Sequence, residues 1–169
     1  MSKVDYELFM SKALEEAHHA LSTGEFPVGC VMVYENRVLV TGMRHHTGPD
    51  NQNELDHAEM LALRRLVDLE EKIDREEVTL FSTLEPCLMC YAALILNGIR
   101  HIVYAYEDVM GGGTNLDLKR LTPFYQDMEI KVTPNILRQE SLGLFKKFFS
   151  APQKTYLQGS LLAEYTQNQ

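Results

Sequence analysis

The chain has little of what secreted and membrane-embedded proteins are rich in. It holds three cysteines in 169 residues, which suits a reducing compartment better than a disulfide framework. No apolar run approaches the roughly 20 residues that a membrane-spanning helix needs. The N-terminus also lacks the basic-then-apolar layout of a signal peptide. These absences predict a cytoplasmic protein with no membrane association.

Positive charge is scarce as well. The chain has 16 Lys and Arg against 24 Asp and Glu, which gives a formal net charge of −8. Because binding to polyanions depends on clustered Lys and Arg, this balance argues against a nucleic-acid partner. The charge is uneven, however: residues 1–115 hold 9 basic and 19 acidic side chains, whereas residues 116–154 hold 7 and 4. The basic C-terminal section is therefore permissive of a nucleic-acid partner.

What the chain does contain is enough apolar material for one domain. Hydrophobic residues make up 45% of the sequence and charged residues 24%, as in globular proteins, and the length suits one core rather than two. We predict a single domain over residues 1–150. Residues 151–169 form a C-terminal tail, in which Leu161, Leu162 and Tyr165 allow a weak helix.

Hydrophobic periodicity predicts helices that alternate with strands. The predicted helices cover about 6–21, 57–67, 87–96, 116–121 and 136–149, and the predicted strands cover 27–34, 37–41, 78–82, 102–106 and 129–132. Strands that alternate with helices around one sheet indicate a three-layer α/β domain.

Two cysteines three residues apart follow a predicted strand and a proline. Pro86 suits the first position of a helix, so Cys87 and Cys90 fall in the first turn. The helix dipole and the unpaired N–H groups there lower the pKa of a thiol and stabilise thiolates. A Cys-x-x-Cys pair alone fits a redox pair or structural zinc equally well.

His57 makes the cysteine pair more informative. Together with Cys87 and Cys90 it offers three ligands for Zn²⁺. Three protein ligands are typical of catalytic zinc, which keeps its fourth position open for water, whereas structural zinc takes four. His57 also begins a predicted helix, so we expect the metal to lie where two helix N-termini converge. Such a metal lowers the pKa of its bound water to about 7.

Glu59 is the predicted catalytic residue. It lies two residues beyond His57, near enough to reach the bound water without binding the metal. A carboxylate there takes the proton of the water, gives it to a ring nitrogen and later protonates the leaving amine. His-x-Glu followed by Pro-Cys-x-x-Cys is the signature of zinc-dependent base deaminases. The sequence therefore predicts hydrolytic deamination of an amino-substituted heterocycle.

These motifs resemble the cytidine/deoxycytidylate deaminase superfamily, and most closely its tRNA-specific adenosine deaminases, which convert wobble adenosine to inosine. The matching stretches run from the first helix to about Phe149: residues 25–31, 57–60 and 83–90, Asp108 with the glycines at 111–113, and Phe148-Phe149. The resemblance implies a three-layer α/β/α cytidine deaminase-like fold with a central mixed five-stranded sheet, Zn²⁺ as the cofactor, and a homodimer.

Six residues are candidate contacts to the substrate: Pro27, Val28, Arg44, Ala58, Asp108 and Phe149. The resemblance implies that the first two line the pocket and that Asp108 and Phe149 lie near the nucleotide. Ala58 stands between His57 and Glu59. Arg44 departs from the family, which usually carries an asparagine there that contacts the substrate. Its guanidinium could bind a phosphate or a carbonyl bidentately, or could have no role in binding.

Three functional hypotheses stay open. A tRNA adenosine deaminase is favoured by Asp108, the glycine turn and Phe148-Phe149. A deaminase of a free base, nucleoside or nucleotide, such as cytosine, guanine or deoxycytidylate, is favoured by the overall acidity. The third, a non-catalytic partner subunit or structural zinc protein, is disfavoured because such a site has no use for Glu59.

Two further features receive structural explanations. Cys30 lies inside an apolar strand, where a free cysteine is usually a small buried hydrophobe. His45 and His46 lie in a polar loop over residues 44–54, and we expect them at the surface or facing the substrate.

Overall fold

A mixed five-stranded sheet forms the centre of the computed structural model. The structure describes residues 5–169. The prediction made for the N-terminus therefore lies partly outside the described residues, since it includes residues 1–4. The strands are β1 (Gly29–Tyr34), β2 (Arg37–Met43), β3 (Thr79–Leu84), β4 (His101–Tyr106) and β5 (Lys131–Thr133). Their order is β2-β1-β3-β4-β5. β1 pairs antiparallel with β2 and β3, whereas the β3–β4 and β4–β5 pairs are parallel. The predicted mixed sheet is confirmed.

A tight hairpin joins the first two strands. Glu35 and Asn36 form its turn, with φ angles of 49° and 59°. Positive φ at both central residues gives a turn whose twist matches that of the flanking strands. The hairpin brings β2 to the edge of the sheet, and the loop after β2 leads to the first metal-ligand candidate.

Within residues 5–169 the chain forms six helices: α1 (Tyr6–Ser22), α2 (Ala58–Val67), α3 (Leu88–Leu96), α4 (Pro123–Gln126), α5 (Arg138–Phe149) and α6 (Leu161–Gln167). Alternate residues of β1 and β3 face two different cores. Val31 and Phe81 pack with α1, whereas Met32 and Leu80 pack with α2 and α3. Successive side chains of a strand point to opposite faces, so both faces are buried and the predicted three layers are confirmed.

Differences from the sequence-based prediction lie mostly in the second half of the chain. The predicted helix at 116–121 is a single 3-10 turn at Leu118–Arg120, and α4 was not predicted. The last strand begins at Lys131 rather than at Glu129. None of the helices within residues 5–169 is long and apolar enough to cross a membrane.

The C-terminal tail is more ordered than its sequence pattern indicates. It forms α6, whose first turn is capped by the Ser160 hydroxyl, which accepts a hydrogen bond from the backbone N–H of Ala163. Leu162 and Thr166 are fully buried. The tail thus packs as part of the domain and contributes to the core.

Candidate active site

Three potential metal ligands meet where α2 and α3 begin. His57 and Cys87 occupy the N-cap positions of these helices, and Cys90 follows in the first turn of α3. Nδ1 of His57 lies 3.5 Å from Sγ of each cysteine, and all three ligand atoms lie within 4.8 Å of one another. Usual Zn–N and Zn–S bond lengths in a tetrahedral site separate nitrogen and sulfur ligands by roughly 3.6 Å. The donor set therefore fits zinc.

The cysteine pair favours a thiolate. The neighbouring Cys90 thiol lowers the pKa of Cys87 to about 4, with His57 acting in the same direction and partial burial opposing them. The hydrogen bond with Cys87 and burial both raise the pKa of Cys90. A thiolate is the form of cysteine that binds metals, so the site is prepared for a cation.

Glu59 is buried beside the three ligands. Its side chain is only 3% exposed. The Ser82 hydroxyl donates to its Oε1 at 3.1 Å, and the Cys90 thiol lies 3.7 Å from its Oε2. Burial raises the pKa of Glu59. A raised pKa makes the carboxyl group a better proton acceptor, which suits a role in acid–base catalysis.

A cavity of about 140 Å³ opens beside this group. Its lining is mostly apolar with a few polar groups: Phe26, Val28, Arg44, His57, Ala58, Glu59, Leu84, Glu85, Cys87, Asp108, Met110, Gly111, Leu157 and Leu162. A cavity of roughly 150 Å³ accommodates one benzene-sized ring. An apolar pocket with a few convergent polar groups is the usual form of a small-molecule site.

The structure brings four of the six candidate substrate contacts to this cavity, namely Val28, Arg44, Ala58 and Asp108. It does not bring the other two there. Pro27 is buried without lining the cavity. Phe149 is buried against Phe26, with ring centroids 5.9 Å apart, and lines a separate surface pocket beside α6.

Asp108 is held at the rim of the cavity by its own loop. Its Oδ1 accepts hydrogen bonds from the backbone N–H groups of Met110 and Gly111, and its own N–H donates to Glu85. Burial raises the pKa of Asp108. At Gly112 a Cβ would lie 2.5 Å from Glu85 Oε2, so glycine allows this turn to pack tightly. The loop therefore places one carboxyl group in the wall of the cavity that His57 and Cys87 also line.

Arg44 is buried and engaged within the protein. Its side chain is 2% exposed. One terminal nitrogen donates to the backbone carbonyls of His45 and Asn53, and the other donates to Glu54 and to the Tyr156 hydroxyl. Although Arg44 lines the cavity, its two terminal nitrogens already have four acceptors.

The remaining candidates behave as ordinary structural residues. Cys30 is fully buried in β1, and burial raises the pKa of its thiol, which confirms its interpretation as a small hydrophobe. His46 is half-exposed and pairs with Asp56 at 2.5 Å. Within the described residues, the histidine and cysteine ligand atoms that cluster are those of His57 and the cysteine pair.

Several residues at this site were not predicted as functional from the sequence. Leu157 and Leu162 form part of the cavity wall, and Tyr156 and Glu54 contact Arg44. The only signal in the sequence was the position of Glu54 three residues before His57. The others come from a tail whose weak pattern did not indicate which surface it covers.

Comparison with known proteins gives consistent matches. The family described as cytidine and deoxycytidylate deaminase zinc-binding region matches residues 3–106. The tRNA-specific adenosine deaminase of Bacillus subtilis is 32% identical over 150 residues, which cover 88% of this chain and 91% of that protein. The tRNA-specific adenosine deaminase 2 of Xenopus tropicalis is 39% identical over 149 residues, covering 83% and 86%. A solved structure from a study of A-to-I editing by tRNA:A34 deaminases superimposes with a TM-score of 0.62 at 28% identity, covering 81% of this chain and 98% of that one.

Proposed function

This chain belongs to the cytidine and deoxycytidylate deaminase family, and from that premise we propose that it is a zinc-dependent hydrolytic deaminase of an amino-substituted nucleobase. The observation that carries the proposal is the position of Glu59. A buried carboxyl group lies beside a His–Cys–Cys ligand set, and Glu59, His57 and Cys87 line one cavity of about 140 Å³. A structural metal site needs neither the carboxyl group nor the cavity.

His57, Cys87 and Cys90 would hold the zinc. When bound, zinc with three protein ligands acts as a Lewis acid that lowers the pKa of water to about 7. The Cys87 thiolate supplies a negative ligand. The positive ends of α2 and α3 stabilise that negative charge.

Glu59 would move the protons. Deamination adds water at the ring carbon that bears the amino group and releases that group as ammonia. Glu59 accepts a proton from the attacking water and delivers it to the adjacent ring nitrogen. It then carries the second proton of that water to the amino group, so that ammonia leaves and a carbonyl remains. The Ser82 hydroxyl donates to one oxygen of the Glu59 carboxyl group and so restrains its orientation.

The substrate we propose first is the wobble adenosine of tRNA. The named activity of the relatives described above supports it, since each aligns over most of this chain. An adenosine of tRNA must leave its base stack and insert into the pocket before it can be deaminated. The cavity offers Asp108 and Glu85 as polar groups at its wall. The proposal includes a cytoplasmic homodimer, and the free state of all three cysteines agrees with a reducing compartment.

A second candidate is a free base, nucleoside or nucleotide. It is favoured by the C-terminal segment, because Leu157 and Leu162 close part of the cavity wall, and by the net charge of −8. An acidic protein attracts polynucleotides weakly.

A substrate panel tests the proposal. Purified zinc-loaded protein is assayed for ammonia release against tRNA with a wobble adenosine, the same tRNA with guanosine at that position, and free bases, nucleosides and nucleotides. Turnover of the adenosine-bearing tRNA alone supports the first candidate. Turnover of only the small molecules establishes the second. A lack of turnover throughout, from protein that holds one zinc per chain, would contradict the proposed deaminase activity.

A further inference from the structure

The second ring nitrogen of His57 also has a partner. While Nδ1 faces the two cysteines, Nε2 lies 3.4 Å from Oε2 of Glu54. A histidine that binds a metal usually donates its other N–H to a carboxylate or a carbonyl, which sets the orientation of the ring. Glu54 lies three residues before His57 and is half-exposed. Its placement is that of an orienting carboxylate.

The same carboxylate oxygen has two further donors. It accepts a hydrogen bond from the Tyr156 hydroxyl at 2.9 Å and from the Arg44 guanidinium at 3.1 Å. The Arg44 guanidinium also donates to the Tyr156 hydroxyl and lies 5.5 Å from the centre of its ring. Because Arg44 is buried and held by two backbone carbonyls, it fixes where Glu54 and Tyr156 meet.

Tyr156 belongs to the segment that closes the cavity. Its ring packs against Phe26 at 5.2 Å between centroids, and the next residue, Leu157, lines the cavity. Two residues earlier, the Lys154 ammonium donates to the backbone carbonyl of Gly24 at 2.6 Å. Glu54 thus contacts His57, a candidate metal ligand, and Tyr156, which belongs to the segment that forms part of the cavity wall.

We propose that Glu54 is a positioning residue that orients the His57 imidazole for zinc, and that Tyr156 couples the C-terminal wall of the cavity to the metal site through Glu54. The inference rests on the proposed zinc site. It gives Arg44 the role of holding this junction together, in place of contact with a substrate phosphate. One carboxylate, that of Glu54, then positions both the metal ligand His57 and the C-terminal wall of the cavity.

Zinc affinity of two conservative variants tests the inference. Glu54→Gln keeps the size of the side chain and removes its charge, and Tyr156→Phe removes only a hydroxyl. Loss of an orienting carboxylate lowers metal affinity about 10- to 100-fold. We therefore expect a loss of that size for Glu54→Gln in competition with a chelator, and a smaller loss in the same direction for Tyr156→Phe. In the double variant we expect the loss of Glu54→Gln alone, because Tyr156 acts through Glu54.

Tyr165→Phe is the matched control. It removes a hydroxyl from the same C-terminal segment that donates to a carboxylate, but that carboxylate is Glu107, which neither lines the cavity nor contacts His57. Its zinc affinity should equal that of the original chain. Equal zinc affinity for Glu54→Gln and the original chain would overturn the inference, as would losses that simply add in the double variant.

A second measurement does not depend on zinc. In the metal-free protein, amide hydrogen exchange of residues 155–158 should be faster in both Tyr156→Phe and Glu54→Gln than in the original chain, and unchanged in Tyr165→Phe. Exchange that is unaffected by Glu54→Gln would overturn the coupling to the wall. Neither measurement needs a substrate. An inactive protein with the expected zinc affinities would therefore contradict the proposed function alone.

Discussion

Glu59 carries more of the proposed chemistry than any other side chain. It is buried, and burial raises the pKa of its carboxyl group, because charge is costly in a poorly solvated site. The Ser82 hydroxyl and the Cys90 thiol are its polar neighbours. A glutamine could serve the same structural purpose at this position, so the carboxyl group itself points to a chemical role.

We therefore expect Glu59→Gln to fold and bind zinc but to lose catalysis. General acid–base catalysis contributes about 10²- to 10⁴-fold, so kcat for ammonia release should fall by that range. The measurement is ammonia release from whichever substrate the panel identifies, together with zinc content and melting temperature. Glu140→Gln, at an exposed position of α5, should leave kcat unchanged. Retention of most of the activity in Glu59→Gln would remove the proton-transfer role from this residue.

At the scale of elements, the position of His57 depends on how closely α2 approaches β2. A Cβ at Gly42 of β2 would lie 2.2 Å from the backbone carbonyl oxygen of Ala58. That carbonyl belongs to the first residue of α2, between His57 and Glu59. Glycine thus lets the helix that begins at the metal site lie directly on the sheet.

Gly42→Ala should therefore disturb both stability and metal binding. Overpacking costs about 1 to 3 kcal/mol, and the displaced start of α2 should weaken zinc binding. Urea denaturation and chelator competition measure the two effects. Gly143→Ala is the control, because nothing lies within 4 Å of a Cβ at that position in α5, and alanine in a helix interior should stabilise by about 0.5 to 1 kcal/mol. A neutral Gly42→Ala would show that α2 can shift without consequence.

A charged cluster anchors α6 to the domain. Glu107, directly after β4, accepts hydrogen bonds from Arg138 of α5 and from Tyr165 of α6. Partial burial alone would raise the pKa of Glu107, but these hydrogen bonds outweigh it and lower the pKa to about 2. Ionised Glu107 therefore stabilises the folded state.

The sign of this effect predicts a pH dependence. Since folding lowers the pKa of Glu107, its contribution is complete above the unfolded value of 4.5 and is lost as pH falls toward about 2. We expect Glu107→Gln to lower the free energy of unfolding by about 1 to 2 kcal/mol at pH 6, allowing for solvent screening of a quarter-exposed pair. That deficit should shrink by more than half at pH 3. Denaturation at both pH values measures it, with Glu164→Gln, an exposed carboxylate of α6, as the control. A deficit that is the same at both pH values would contradict the assignment.

At the scale of the whole molecule, α3 presents an apolar stripe away from the core. Its inner face buries Cys90, Leu94 and other residues, whereas Leu88 and Leu96 are 55% and 52% exposed. Eight residues apart, these leucines lie on one side of the helix. Exposed apolar patches mark interaction surfaces, and the stripe agrees with the proposed homodimer.

Leu96→Glu should weaken self-association. A charge introduced into an apolar interface is desolvated without a partner, so we expect a dimer for the original chain and a shift toward monomer for the variant. Light scattering coupled to gel filtration measures the mass. Leu161→Glu, at an exposed leucine of α6, is the control and should remain dimeric. A monomeric original chain, or an unaffected variant, would remove this face from the assembly.

The limits of sequence-based prediction follow the range of the interactions involved. The strands of the first half were predicted to within two or three residues, because Val31, Phe81 and their neighbours form apolar runs bounded by turns. The 3-10 turn at Leu118–Arg120 and α4 were misjudged, since such short elements depend on packing more than on propensity. The tail was assigned at most a weak helix, because its anchors, Tyr106 for Thr166 and Glu107 for Tyr165, lie about 60 residues away.

The sequence alone determined the candidate ligand set and the proposed acid–base residue, because metal binding and proton transfer require particular side chains at short spacings, as in His57-Ala58-Glu59 and Cys87–Cys90. Only the tertiary structure decided what surrounds them. It left Phe149 outside the cavity, engaged Arg44 with four acceptors, and placed Leu157, Leu162 and Tyr156 beside the site. The contact between Arg44 and Tyr156, for example, joins residues 112 positions apart, and no local pattern encodes it. The chemistry is therefore a property of short motifs, whereas the shape of the pocket is a property of long-range packing.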